Sequence, residues 1–335
     1  MSKRSRYRAI DIEEFPLGQR SNFWRGLYQD AAGSMVQAPF IVARGELPGP
    51  VLGITAAVHG NELNGISIIH HLLDELDLSE LSGTLVCCPI VNVPAYNQGV
   101  RCFPDGLDLN HVFPGKRGGK PAEQYAHAFV STMLPCLDYL VDIHTASEGR
   151  LNTLYVRVDF ADDVALKMAT EFNAHILLHG RGGDGTFRTA ARRRKVPAIT
   201  VEAGNPSVIQ GRMVYDGEIG VRNVMKGLGM LVGSVQTKRH PVLCRRSTWL
   251  RTRSGGLLET HFKLYQLVTK KQLLATVRDP FGKLVAEYHA PWDGVVIGKA
   301  ANPAAEAGTR FCHLGAVQEL SEILSDPELR ANSKA

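Results

Sequence analysis

No apolar run in this 335-residue chain approaches the ~18 residues that a membrane-spanning helix needs, so no membrane partner is expected. The opening stretch MSKRSRYRAIDIEEF is basic but lacks the apolar core of an export signal, and a cytoplasmic location is expected. The chain also has no CxxC pair. Its six cysteines (Cys87, Cys88, Cys102, Cys136, Cys244 and Cys312) are scattered, which fits reduced thiols better than a disulfide framework or a structural zinc site. A large excess of one charge is missing too. With 38 Lys and Arg against 33 Asp and Glu, the net +5 permits anionic small molecules without demanding a nucleic acid. There is neither a basic helix nor an aromatic-studded sheet, so nucleic-acid binding is not expected.

What is present is the composition of an ordinary globular protein, 44% hydrophobic and 21% charged, long enough for one large domain and a small one. The central stretch is Val51 to Leu73, VLGITAAVHGNELNGISIIHHLL. It opens as a buried strand and turns through His59-Gly60-Asn61-Glu62. It then continues with Ile66, Ile69, Leu72 and Leu73 at helical spacing. Further strands are read at 37–44, 84–91, 139–143, 154–158, 176–178 and 198–202. Helices are read at 121–133, 164–172 and 219–231. Residues 1–35 read as an irregular arm with some edge structure, 92–108 as a long loop, and 180–195 as a Gly- and Arg-rich connection.

Strands alternating with helices imply an α/β fold: a mostly parallel, mixed sheet covered by helices on both faces. The composition changes near Arg245, where short β-rich pieces are separated by Gly255-Gly256, Asp279-Pro280, Gly282 and Asp293-Gly294. Two domains are therefore expected: a catalytic α/β domain over 1–244 and a small C-terminal β domain over 245–335. The small domain is laid out like a lipoyl-type barrel but has no lysine flanked by methionines, so no lipoylation is expected. It ends in a polar tail, expected as a short frayed helix after Leu320.

Four features carry chemistry. HGNE supplies His59 and Glu62 at a strand end. LVDIHT supplies His144, with Asp142 two residues before it. AITVEAG ends a strand at Glu202. A loop carries Arg101 and then DLNHVFPG. A parallel sheet brings strand C-termini to one edge, so His59, Glu62, His144 and Glu202 can meet there. Two His and one Glu form a three-ligand zinc set with a position left open. His70, His71 and His127 have no ligand partner at useful spacing and read as structural. Trp249 and Trp292 read as packing residues.

In this order the four motifs resemble the succinylglutamate desuccinylase/aspartoacylase family, relatives of the zinc carboxypeptidases. The resemblance spans about Gly53 to Gly204 and extends to the small β domain. It implies a carboxypeptidase-like fold and one Zn2+ per subunit on His59, Glu62 and His144. Glu202 is then the general base for the zinc-bound water, and Arg101 polarises the scissile carbonyl. Asp142 resembles the carboxylate that orients a ligand histidine, expected to be His59. A homo-oligomer is also implied.

One residue departs from the family pattern. Where DLNR is usual and its Asn-Arg pair grips a substrate carboxylate, Asn110 is followed by His111. An imidazole offers no bidentate fork, so another cation is expected to help. Arg181, Arg188 and the run Arg192 to Lys195 are candidates, with Arg192 favoured. The small domain can cap the site, with Tyr265 and Tyr288 as possible contributors. The reading is a zinc-dependent amidohydrolase cleaving the acyl–nitrogen bond of a small N-acylated amino acid or diamine-type metabolite. The alternatives are a metallocarboxypeptidase acting on peptides and a non-catalytic metal-binding protein of the same fold.

Overall fold

The computed structural model describes residues 8–236 and 240–317; the tail after Leu320 lies outside them. At its centre are four parallel strands: β3 (Leu47–Ala56), β4 (Ser82–Cys88), β5 (Tyr139–His144) and β9 (Ala198–Glu202), in the order β4-β3-β5-β9. Their near-continuous apolar sequences are explained by cover on both faces. On one face α1 (Asn64–Asp74), α4 (Asp163–Phe172) and α6 (Gly211–Gly227) bury Ile54, Ile143 and Val201 from the sheet. On the other, α3 (Pro121–Met133) and α5 (Phe187–Arg193) bury Val86, Leu140 and Ala198. Helix α1 presents Ile68, Ile69, Leu72 and Leu73 to the core. Each such side chain contributes on the order of 2 kcal/mol by leaving water.

The sheet continues beyond these strands. β2 (Met35–Arg44) lies antiparallel on β4, and β1 (Gln19–Gln29) lies antiparallel on β2 as an edge strand. An irregular arm with some edge structure was expected over 1–35, and the edge structure found is an 11-residue strand. Within it only Leu27 is buried, so its period-2 signal is faint. On the far side come β7 (Tyr155–Val158), antiparallel to β9, and then β8 (Ile176–His179), parallel to β7. β10 (Val242–Arg251) starts parallel to β8 and runs on to pair with β17 (Arg310–Val317). The domain boundary expected at 244/245 therefore falls inside a strand. β15 (Gly294–Ala300) and β12 (Leu267–Val268) complete this sheet. β6 (Arg150–Asn152) pairs with β15, tying the segment after β5 to the C-terminal region. A second, antiparallel sheet has the order β14 (Leu284–His289), β13 (Leu273–Arg278), β11 (Gly256–Thr260), β16 (Ala304–Ala305). It packs Leu258, Leu274 and Val277 against Val296, Phe311 and Leu314. Among the described residues no helix is long and apolar enough to cross a membrane.

Three helical segments differ from the sequence reading. The supposed loop 92–108 contains α2 (Val93–Gln98), capped by Asn92 and closed by Gly99 at φ 64°. The connection 180–195 contains α5. Helix α6 begins at Gly211, eight residues before Ile219, with Gly217 and Gly220 in its middle. Those glycines serve packing: a Cβ on Gly217 would lie 2.4 Å from Ile68, and one on Gly220 2.6 Å from Phe172. Helix α6 is held by contact with α1 and α4 more than by its own propensity.

Candidate metal centre and active site

The chain leaves β3 at Ala56 and turns sharply, with Glu62 N–H donating to His59 O (3.1 Å). The glycine of HGNE is required by a close approach, since a Cβ there would sit 2.1 Å from the backbone of Ala95 in α2. Asn64, at the start of α1, donates to Ala203 O (2.8 Å) and accepts from Gln210 N–H (2.8 Å). The HGNE turn is thereby bolted to the strand end that carries Glu202.

His59, Glu62 and His144 are buried and converge, each offering a ligand atom within 4.8 Å of the others. His59 Nδ1 lies 2.8 Å from Glu62 Oε1 and His144 Nδ1 2.9 Å from Glu62 Oε2. The two Nδ1 atoms are 3.2 Å apart. Ligands about 2.0–2.1 Å from a tetrahedral ion stand roughly 3.3 Å from one another, so this donor set fits a metal such as zinc. The outer nitrogens are held as a metal site requires. His144 Nε2 lies 3.0 Å from Asp142 Oδ2, and His59 Nε2 lies 3.0 Å from Asp108 Oδ1. Asp142 was expected beside His59. It serves His144 instead, because both sit on one face of β5, and its other oxygen accepts from Thr55 Oγ1 (2.7 Å). The partner of His59 comes from the DLNH loop.

The electrostatics match a cation site. Burial opposes charge on both rings, yet Glu62 with Asp108 holds His59 above its usual range, and Asp142 with Glu62 does the same for His144. Burial likewise opposes charge on Glu62, but the two imidazoles pull its carboxyl far below the usual carboxylate range. Replacing Asp142 by Asn removes the negative charge and leaves one carbonyl oxygen to serve both Thr55 and His144. Metal affinity is expected to fall by about 10–100-fold in a chelator competition titration; unchanged affinity would mean that Asp142 only packs.

Arg101 donates through Nη1 to Glu62 (3.1 Å) and Ser147 (3.0 Å) and through Nε to Asp108 (3.0 Å), with Nη2 in ion-pair contact with the same carboxylate (2.9 Å). Three of the five N–H donors of a guanidinium are thus used, and those left are on Nη2. Glu202, opposite Tyr155 in the β7–β9 register, accepts from Arg157 Nε (3.2 Å) and Asn152 Nδ2 (3.3 Å). Arg157 also donates to Tyr155 Oη (2.7 Å).

These groups line one cavity of about 280 Å³, with Asn110, His111, Arg150, Arg188 and Trp249 on its other walls. Asn110 Oδ1 accepts from Phe187 N–H (2.9 Å), which pins the start of α5 to the DLNH loop. Gly185 lets the two loops touch, a Cβ there falling 2.2 Å from His111 O. His111 is largely exposed. Arg192, favoured on sequence as a substrate contact, pairs with Asp159 (2.9 Å) and does not line the cavity. The arginine that α5 delivers is Arg188, one turn nearer the pinned end. It is buried, donates to Gly180 O (2.8 Å), and is pushed down to about 10 by burial and by Arg157 and Arg192. Tyr265 and Tyr288 do not line the cavity: Tyr265 packs on His175, and Tyr288 Oη accepts from Arg253 N–H. Strand β10 contributes Trp249 instead, which the sequence reading assigned to packing.

Arg188 was among the candidate cations read from the sequence, whereas Asp108, Arg157 and Arg150 were given no role. Only Asp108 carried a signal, as the first residue of DLNH; the others depend on which strands pair.

A model of the succinylglutamate desuccinylase/aspartoacylase catalytic domain matches residues 48–228, which contain every residue of the His–Glu–His set and Glu202. The chain belongs to this family. The N-alpha-acetyl-L-2,4-diaminobutyric acid deacetylase of Halomonas elongata is 27% identical over 305 residues, 87% of this chain and 89% of that protein. A succinylglutamate desuccinylase/aspartoacylase structure from Rhodobacter sphaeroides is 25% identical, with TM-score 0.81, covering 92% of this chain and 98% of that one. A product-bound ectoine utilization protein from Ruegeria pomeroyi is 25% identical, with TM-score 0.80, covering 90% and 97%. Both solved chains extend over the small C-terminal region as well as the family domain.

Proposed function

We propose that this chain is a zinc-dependent deacylase that hydrolyses the amide bond of a small N-acylated amino acid. The observation that carries the reading is the meeting of His59, Glu62 and His144 with Glu202 in one arginine-lined cavity. The Halomonas relative, a deacetylase of an acylated diamino acid, supports the bond type. At about 280 Å³ the cavity is at the small end for ligand sites, which favours a metabolite over a peptide. Unbridged cysteines support a reducing, cytoplasmic setting.

A divalent ion on the His–Glu–His set supplies Lewis acidity and lowers the pKa of water. Glu202, held by Arg157 and Asn152, takes the proton of the attacking water and passes it to the leaving amine. Arg101 turns an Nη2 N–H to the developing oxyanion, and its bonds to Asp108 and Glu62 hold it in place for that. Arg188, buried among cations and without an acidic partner among the described residues, holds the substrate carboxylate that His111 cannot grip bidentately. Asn110 orients the same group through its amide N–H.

Zinc-loaded protein is to be incubated with N-acetyl, N-succinyl and N-formyl amino acids and diamino acids and with short peptides, and products read by mass spectrometry. Release of a free amine from an acylated amino acid supports the reading; release of C-terminal residues from peptides alone would replace it with a carboxypeptidase. With the best substrate, Arg188→Gln is expected to raise KM by roughly tenfold or more with a smaller change in kcat. An unchanged KM would remove Arg188 from the carboxylate site.

A further inference from the structure

Beside the reaction cavity is a second cleft of about 380 Å³, lined by Arg150, Arg251 and Arg310 with Asn302 and Thr309. Arg251 on β10 and Arg310 on β17 are direct cross-strand partners. Like charges placed opposite one another destabilise a sheet. No carboxylate forms an ion pair with any of the three arginines among the described residues. Their donors are largely unspent. Arg251 Nη1 donates to Gly308 O (2.8 Å), while the Arg150 guanidinium carbon sits over the Trp249 ring, 5.3 Å from its centroid. Burial and the fields of Arg310, Arg101 and Arg251 lower the pKa of Arg150, as expected where cations crowd without an anion.

We propose that this cleft is a second anion site, which takes a small metabolite bearing a dianionic phosphate or paired carboxylates and regulates the reaction cavity through Arg150. Planar guanidinium forks suit oxyanions, and three of them around one cleft match a doubly charged group. Arg150 lines both cavities, so an anion in the cleft competes for it with an anionic substrate. The coupling is short: Arg150 opens β6, and Asn152 at its other end donates to Glu202. The site is set by geometry outside the reaction centre, so its binding test does not depend on the proposed reaction.

Titration calorimetry on the full chain, with inorganic phosphate and separately with succinate, tests the inference. Saturable binding of at least one is expected, weakened roughly tenfold or more by Arg251→Gln and by Arg310→Gln and unaffected by Arg188→Gln. Tighter phosphate binding identifies a phosphate-bearing ligand, and tighter succinate binding a dicarboxylate. The glutamine variants relieve like-charge repulsion, so in low salt without anion they should melt no lower than the wild type, while phosphate raises only the wild-type Tm. In turnover, the bound anion should raise KM for a carboxylate-bearing substrate, and Arg310→Gln should abolish that rise. Absence of saturable binding overturns the proposal. So does binding that survives Arg310→Gln but is lost in Arg188→Gln, which would place the anion in the reaction cavity.

Discussion

Glu202→Gln is expected to lower kcat by about three orders of magnitude while leaving metal content and substrate affinity nearly unchanged. The amide keeps the size of the side chain and can still meet Asn152, but it cannot take a proton from water. A positioned general base is worth about 10²–10⁴-fold, and a thousandfold loss corresponds to about 4 kcal/mol of transition-state stabilisation. Arg157, 3.2 Å from the Glu202 carboxylate, holds it in place. Steady-state kinetics with metal analysis on the same preparation decides it. A variant retaining a tenth or more of wild-type kcat would remove Glu202 from the proton path. Loss of bound metal along with activity would instead make it a ligand or a support for one.

Removing the metal is expected to abolish turnover without unfolding the chain. Dialysis against a chelator should leave the far-ultraviolet circular dichroism unchanged, because the core clusters around Ile54, Ile143 and Val201 and around Val86 and Leu140 do not include the site. Stoichiometric zinc should restore activity and raise the Tm, since an ion that binds only the native state stabilises it by mass action. His144→Ala should defeat both effects. It removes one of three ligands and leaves Asp142 without its partner at 3.0 Å. Full activity in chelated protein with no metal detectable by elemental analysis would sink the zinc reading outright. Zinc binding with normal affinity to His144→Ala would relocate the metal site.

Much of this molecule was legible in the chain alone because its information is local. The apolar runs at 51–58, 84–91 and 139–143 are buried on both faces, so they announce strands without help from neighbours, and β9 coincides with its expected bounds at Ala198–Glu202. Each metal-site residue lies at the end of such a strand or in the turn after it. The rule that strand C-termini share one edge was enough to bring His59, Glu62 and His144 together. The glycine of HGNE and the DLNHVFPG loop mark backbone approaches that the sequence encodes directly.

Tertiary structure alone decided the rest, since those features depend on which surfaces meet. Alternation along β7 shows that Tyr155 and Arg157 share a face, but only the antiparallel pairing with β9 sets that face against Glu202. Arg188 and Arg192 are one helical turn apart and look equivalent as text. The hydrogen bond from Phe187 N–H to Asn110 pins the near end of α5 to the cavity and leaves Arg192 outside with Asp159. Asp142 could have served either histidine until the register of β3 and β5 matched it with Thr55 and His144. The three arginines of the second cleft come from residues 150, 251 and 310, distant in the chain. Local propensity and periodicity describe one segment at a time; charge that accumulates between segments is visible only once the strands have paired.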